Sequence, residues 1–136
     1  MTSIPITLAT AGILGLLYVA LSFNVTKVRI DTKTISGDGA GTSAGPRLQL
    51  SHRIQANFIE YVPFALILIG GIEAAGANHD LVLGLAGALL LARFAHPVGM
   101  TRKAPNPMRA GGALLTWAVL IVASVTAIFL AAQALR

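Results

Sequence analysis

The sequence contains no cysteine and very few charged residues. Without cysteine, the chain cannot form disulfide bonds, supply a thiol nucleophile of its own or hold a metal through cysteine ligands. Charged residues make up 11% of the chain, whereas soluble domains carry about 25%. So few charges cannot cover a surface exposed to water. The composition therefore excludes an ordinary soluble enzyme and a disordered chain.

Hydrophobic residues, at 55%, occur in runs of the length that a membrane helix requires. A span needs about 20 apolar residues, and residues 1–26 and 110–135 contain no charged side chain. Two shorter runs, 61–72 and 81–92, reach this length only when neighbouring polar residues are included. We therefore predict a single domain over residues 1–136. It is an all-α integral membrane protein, a bundle of four transmembrane helices at about 4–26, 50–75, 81–100 and 109–133.

The basic residues that give the net charge of +5 lie mainly in or beside the first and third loops. The second loop, around residues 76–80, has no Lys or Arg. The positive-inside rule places the first and third loops in the cytoplasm and both termini outside. Glu73 and Asp80 flank the second loop and are expected to be solvated. Basic residues spread over short loops fit a membrane surface, so we expect no nucleic-acid partner.

Ionisable and polar residues lie inside the second and third spans. Arg53, Asn57 and Glu60 follow the spacing i, i+4, i+7, which places them on one helix face. Arg93 and His96, at i and i+3, share a face of the third span. A rise of about 1.5 Å per residue puts Glu60 and Arg93 at similar depth on neighbouring helices. The spacing predicts a polar pocket in the inner half of the membrane.

Two interpretations of this pocket remain open. An ion pair between Glu60 and Arg93 could simply hold the bundle together. That pair would leave a surplus of positive charge, because Arg53, Arg93 and Arg109 outnumber the one carboxylate. Uncompensated charge is costly inside a membrane, so the surplus predicts an anionic ligand with polar groups along its length. We expect no metal site, since His96 has no cysteine or second histidine nearby.

The segment from Arg53 to Pro63, RIQANFIEYVP, resembles the start of the second span in the MAPEG family, the membrane-associated proteins in eicosanoid and glutathione metabolism. Arg93, His96 and Arg109 follow in the order and spacing of that family. The resemblance covers nearly the whole chain, and its short, Ala/Gly-rich form is similar to bacterial members. It implies a MAPEG-like homotrimer in a bacterial inner membrane. In that assembly glutathione would bind between neighbouring subunits, open to the cytoplasmic side.

The resemblance also implies roles for individual residues. Arg109 would be catalytic, because a fixed cation stabilises the thiolate of glutathione. The thiolate would then attack a hydrophobic electrophile that arrives through the bilayer. The implied function is a membrane-bound glutathione transferase, with peroxidase activity as a variant of the same chemistry. The residues implied to bind the co-substrate glutathione are Arg29, Arg53, Gln55, Asn57, Glu60, Tyr61, Arg93 and His96.

Three positions depart from the family pattern. Met100 stands where eicosanoid-type enzymes have Tyr, and Ala110 and Ala113 stand where the prostaglandin E synthase branch has Ser and Tyr. Loss of these hydroxyls argues against prostaglandin synthesis. It keeps open an alternative, a non-catalytic glutathione- or lipid-binding membrane protein of the same fold. A small multidrug transporter also has about four spans, but its essential carboxylate lies in the first span, which is uncharged here.

Overall fold

A computed structural model describes residues 3–136, whose regular structure consists of four α-helices. Each helix is long and apolar enough to cross a membrane, so the prediction of an all-α bundle with four candidate membrane spans is confirmed. Met1 and Thr2, which begin the first charge-free run, lie outside the described residues. The helices are α1 Pro5–Asp31, α2 Gly45–Ala74, α3 His79–Met100 and α4 Pro107–Ala134.

Two of the helices extend well beyond the apolar stretches predicted as spans. Helix α1 continues to Asp31 through the basic residues Lys27 and Arg29, and α2 begins at Gly45 rather than near residue 50. Lys and Arg are good helix formers, and a helix does not have to end at the membrane surface. These extra turns lengthen the end of the bundle that carries the first and third loops.

Asparagine side chains define the starts of α3 and α4. The amide oxygen of Asn78 accepts hydrogen bonds from the N–H groups of Asp80 and Leu81, at 2.9 and 3.1 Å. Asn106 caps α4 in the same way, by accepting from Met108 N–H at 2.9 Å. Pro107 follows at the first helical position, where its missing N–H costs nothing. The cap and the proline together fix the point at which α4 begins.

The apolar core lies between all four helices. Leu14 of α1, Ile69 of α2, Leu89 of α3 and Val119 of α4 are among its almost completely buried members. Large apolar side chains are also exposed along every helix, for example Leu16, Ile67, Leu91 and Ile128. An apolar exterior of this extent suits lipid or another subunit rather than water.

Helix α1 is joined to the end of α2 by the carboxylate of Glu73. That carboxylate accepts from Ile6 N–H at 2.9 Å, from Thr7 N–H at 2.8 Å and from the Thr7 hydroxyl at 2.6 Å. The first N–H groups of a helix have no partner within it, and Ile4, which precedes α1, provides no side-chain cap. Glu73 satisfies these donors and places negative charge at the positive end of the helix dipole. The expectation that Glu73 is simply solvated is therefore wrong.

Helices α3 and α4 approach closely at two glycines. A Cβ at Gly112 would lie 3.0 Å from the carbonyl oxygen of Ala92 and 3.0 Å from the Cβ of His96. At Gly99 it would lie only 2.7 Å from the Cα of Arg109. By contrast, a Cβ at Gly111 would meet nothing within 4 Å in the described subunit. The crossing of α3 and α4 thus depends on two positions without side chains.

We expect Glu73→Gln to lower the free energy of unfolding by about 1 to 2 kcal/mol, because charge-assisted hydrogen bonds to the start of α1 are weakened. Thermal unfolding of the detergent-solubilised protein measures the change. Glu60→Gln is the matched control, since it makes the same change at an exposed position of the same helix, away from any helix N-terminus. Equal effects of the two substitutions would contradict a specific role for Glu73.

Gly112→Ala should destabilise the bundle, because the new methyl group would push α4 away from Ala92 and His96. Overpacking of this kind costs about 1 to 3 kcal/mol, and the preference of a helix for alanine over glycine, about 1 kcal/mol, offsets only part of that cost. Gly111→Ala is the control. It adds the same methyl group next to open space, and alanine favours a helix by about 1 kcal/mol over glycine. Thermal midpoints of the two variants should therefore move in opposite directions, and a stabilising Gly112→Ala would refute the close contact.

Candidate functional site

A cleft opens where the first half of α2 meets the end of α3 and the start of α4. All three segments lie at the end of the bundle that carries the basic first and third loops. The cleft has a volume of about 270 Å³, and Arg53, Ala56, Asn57, Glu60, His96, Met100 and Arg109 line it. The structure therefore brings together five of the residues selected from the sequence, from three different helices.

The charged groups of the cleft are not paired with one another. Arg53, Glu60 and Arg109 are exposed. Within residues 3–136 the one ion pair is between Arg47 and Asp31, at 3.5 Å on the surface. Two guanidinium groups and one carboxylate are consequently available to a ligand. The cleft can bind acidic groups through the arginines and an ammonium group through Glu60.

The guanidinium group of Arg93 is buried beside this cleft, with a side chain that is only 2% exposed. It donates hydrogen bonds to Asn57 Oδ1 at 3.2 Å, to the carbonyl oxygen of Gly112 at 3.4 Å and to the Thr116 hydroxyl. It also lies 5.9 Å from the centre of the Tyr61 ring. All of these partners are neutral. The ion pair between Glu60 and Arg93, one of the two interpretations of the sequence, is not formed.

The hydrogen bond from Arg93 determines which group of the Asn57 amide is free to face the cleft. An arginine can only donate hydrogen bonds, so the amide oxygen of Asn57 must be the atom that faces it. The Nδ2 group of Asn57 is then left as a donor for an acceptor in the cleft. Arg93 itself does not line the cleft, and neither does Tyr61. In one subunit Arg93 orients a residue of the cleft wall and does not line the cleft itself.

Arg29 and Gln55, also selected from the sequence, lie outside the cleft. Gln55 donates to the Ser22 hydroxyl of α1 at 2.8 Å. Arg29 donates to the carbonyl oxygens of Thr34 and Ile35, at 3.3 and 3.4 Å. One of its nitrogens is also 2.8 Å from His52 Nε2. Both side chains are therefore occupied in contacts between α1, the first loop and α2.

Arg109 reaches the cleft from the first turn of α4. Its position follows from the Asn106 cap and from the contact between the backbones of Gly99 and Arg109. The N-terminus of a helix carries a partial positive charge, which adds to that of the guanidinium group. The sequence identified Arg109 but not Ala56, which also lines the cleft. Helical spacing could have found Ala56, because it lies three residues after Arg53 and four before Glu60.

Among residues 3–136, no group of three His, Cys, Asp or Glu side chains lies close enough together to hold a metal ion. His96 is buried at the wall of the cleft. It lies where α3 and α4 pack closely, next to Gly112. The polar side chains that line the cleft are those of Arg53, Asn57, Glu60, His96 and Arg109.

Comparison with known proteins identifies the relatives of this chain. The family model for the MAPEG family matches residues 7–129. The inner membrane protein YecN of Escherichia coli K12 is 31% identical over 108 residues, which cover 79% of both chains. YecN of E. coli O6:H1 matches to the same extent. No solved structure matches significantly. The chain is a member of the MAPEG family.

Proposed function

We propose that this protein is a membrane-bound glutathione transferase that activates glutathione as the thiolate for attack on hydrophobic electrophiles. One observation carries the proposal: two arginines and one glutamate share a cleft without pairing to each other. Glutathione has complementary groups, namely two carboxylates, one ammonium group and a peptide backbone. Membership of a family named for glutathione metabolism supports the same ligand.

The cleft residues supply a distinct contact for each part of glutathione. Arg53 can bind a carboxylate, and Glu60 can bind the ammonium group. The Nδ2 group of Asn57 can donate to a carbonyl or carboxylate oxygen, because Arg93 holds the amide oxygen. His96 forms part of the wall near Arg109. Within residues 3–136, none of these groups forms an ion pair with another residue of the subunit.

Arg109 provides the activation step in this proposal. A free thiol has a pKa of about 8.5, and a nearby fixed cation lowers that pKa. A larger fraction of glutathione would then be present as thiolate at neutral pH. The sulfur forms a bond to the electrophilic carbon as the leaving group departs with its electron pair. The electrophile would reach the cleft from the surrounding lipid.

The active assembly in this proposal is a homotrimer with glutathione between neighbouring subunits. Arg29 and Gln55 do not reach the cleft of their own subunit. They would contribute only if packing of a second copy brought them to its cleft. The exposed apolar side chains along the helices offer surface for such packing as well as for lipid. The cleft lies at the end with the basic loops, so the positive-inside rule directs it to the cytoplasm and both termini outward.

A second candidate function is binding of glutathione or lipid without turnover. Met100 lines the cleft with a thioether, where eicosanoid-type enzymes of the family have a tyrosine hydroxyl. Ala110 and Ala113 likewise provide no hydroxyl near the start of α4. Arg109 would therefore act on the thiol with little help from neighbouring donors. Glutathione binding without turnover of any electrophile would favour this candidate.

Arg109→Ala should lower kcat for conjugation of glutathione to a chromogenic chloronitrobenzene by about 100-fold, the usual effect of removing one charge-stabilising group. The absorbance of the conjugate, followed with purified protein in detergent, measures the rate. Arg102→Ala is the control, because it removes an exposed arginine from the same loop region outside the cleft. Equal kcat values for Arg109→Ala and the unmodified protein would rule out the activation role.

Arg53→Ala and Glu60→Gln should each weaken glutathione binding by at least about tenfold, because each removes a charged contact worth about 1.5 kcal/mol or more. Isothermal titration calorimetry with the detergent-solubilised protein measures the affinity. Arg47→Ala is the matched control, since Arg47 is an exposed arginine of the same helix that pairs with Asp31. If both cleft variants bind glutathione as tightly as this control does, the cleft is not the glutathione site.

A further inference from the structure

The positive charge of Arg93 has no acidic partner. Its hydrogen bonds go to an amide oxygen, a backbone carbonyl and a hydroxyl, all of them neutral. No acid in residues 3–136 lies within ion-pair distance, and the Nε atom has no hydrogen-bond partner in that part of the chain. An arginine stays protonated in proteins. A buried charge without a counter-ion is unfavourable by several kcal/mol, so the site calls for an anion.

A small, partly open cavity adjoins the Arg93 side chain. Its volume is about 50 Å³, and Asn57, Tyr61, Arg93, Ala113, Thr116 and Trp117 line it. A single water molecule needs only about 10 to 15 Å³ of such space. The cavity can therefore hold a small ion. Glutathione is far too large for it, which distinguishes this site from the neighbouring cleft.

Several residues around the cavity carry hydrogen-bond donors. Arg93, whose buried Nε–H has no hydrogen-bond partner among residues 3–136, lines the cavity together with Tyr61 and Trp117, which carry a phenolic O–H and an indole N–H. Thr116 already donates its hydroxyl hydrogen to the Gly112 carbonyl at 2.7 Å, and its oxygen accepts from Arg93. A water molecule would satisfy these donors but leave the charge of Arg93 uncompensated, whereas an anion accepts from the donors and also supplies the missing counter-charge.

We propose that this cavity is a binding site for a small inorganic anion of halide size, which acts as the counter-ion of Arg93. The proposal does not depend on the glutathione transferase activity. The cavity and the cleft share one lining residue, Asn57. The anion would neutralise Arg93 while Arg93 keeps the Asn57 amide in its orientation.

Trp117 provides a direct test, because it is the only tryptophan of the chain and lines the cavity. Iodide quenches tryptophan fluorescence on contact. Glutathione-free protein in detergent is titrated with iodide, and gluconate keeps the ionic strength constant. We expect a saturable quenching phase that chloride reverses by competition. Quenching that rises linearly with iodide and ignores chloride would indicate collisions at the exposed side of Trp117, and would overturn the proposal.

Two alanines of α4 provide matched variants. Ala113→Leu fills the cavity and should weaken the saturable phase at least tenfold, whereas Ala110→Leu makes the same change at an exposed position outside it. The Ala110 variant should keep the iodide affinity within twofold. Arg93→Gln should abolish the saturable phase. If Arg93→Gln does not fold, the comparison of Ala113→Leu with Ala110→Leu still tests the proposal. Equal iodide affinities for these two variants would refute an anion in this cavity.

Discussion

The buried guanidinium group of Arg93 is the point at which three of the four helices meet. It belongs to α3, and its hydrogen bonds reach Asn57 on α2 and both Gly112 and Thr116 on α4. A charge below the membrane surface must find its partners inside the protein, because lipid offers none. Satisfying this one group fixes how the three helices are rotated about their axes. The cleft beside it is a consequence of that rotation.

Helix α1 is attached by different means. Near one end, Glu73 caps its first turn, and near the middle Tyr18 stacks on Phe58 of α2 with ring centroids 5.9 Å apart. At the other end, Arg29 contacts the first loop and His52. None of these contacts belongs to the cleft. Helices α2, α3 and α4 therefore shape the polar site, and α1 packs along their side without contributing to it.

Much of this architecture could be predicted from the sequence. Charge-free runs located α1 and α4, the first and last helices of the chain. The spacing of Arg53, Asn57 and Glu60 located one wall of the cleft. Depth along the helix could also be estimated, and it correctly suggested that polar groups of α2 and α3 lie near each other. Rotation about the helix axis could not be predicted. For that reason an ion pair between Glu60 and Arg93 is one of the two interpretations that the sequence leaves open, whereas in the structure the amide of Asn57 contacts Arg93.

Contacts between distant segments account for the remaining differences. Nothing in the residues around Glu73 indicates that it caps a helix 66 residues away in the sequence. The first loop folds back on Arg29, and this path depends on a chain of glycines and threonines whose conformation the composition does not specify. Glycine content likewise did not reveal which helices touch. Gly112 lies at a close crossing, whereas a Cβ at Gly84 or Gly87 would meet nothing within 4 Å in the subunit.

The neutral environment of Arg93 has a consequence for how the protein enters the membrane during synthesis. The ribosome makes α3 before α4, so the guanidinium group emerges when only Asn57 and the Tyr61 ring of α2 are available to it. Gly112 and Thr116 arrive about one helix later. A lone arginine at the centre of a span opposes insertion by about 2.5 to 3.5 kcal/mol. Insertion of α3 and α4 as a joined hairpin avoids this barrier, and the short proline-containing connection between them favours that route.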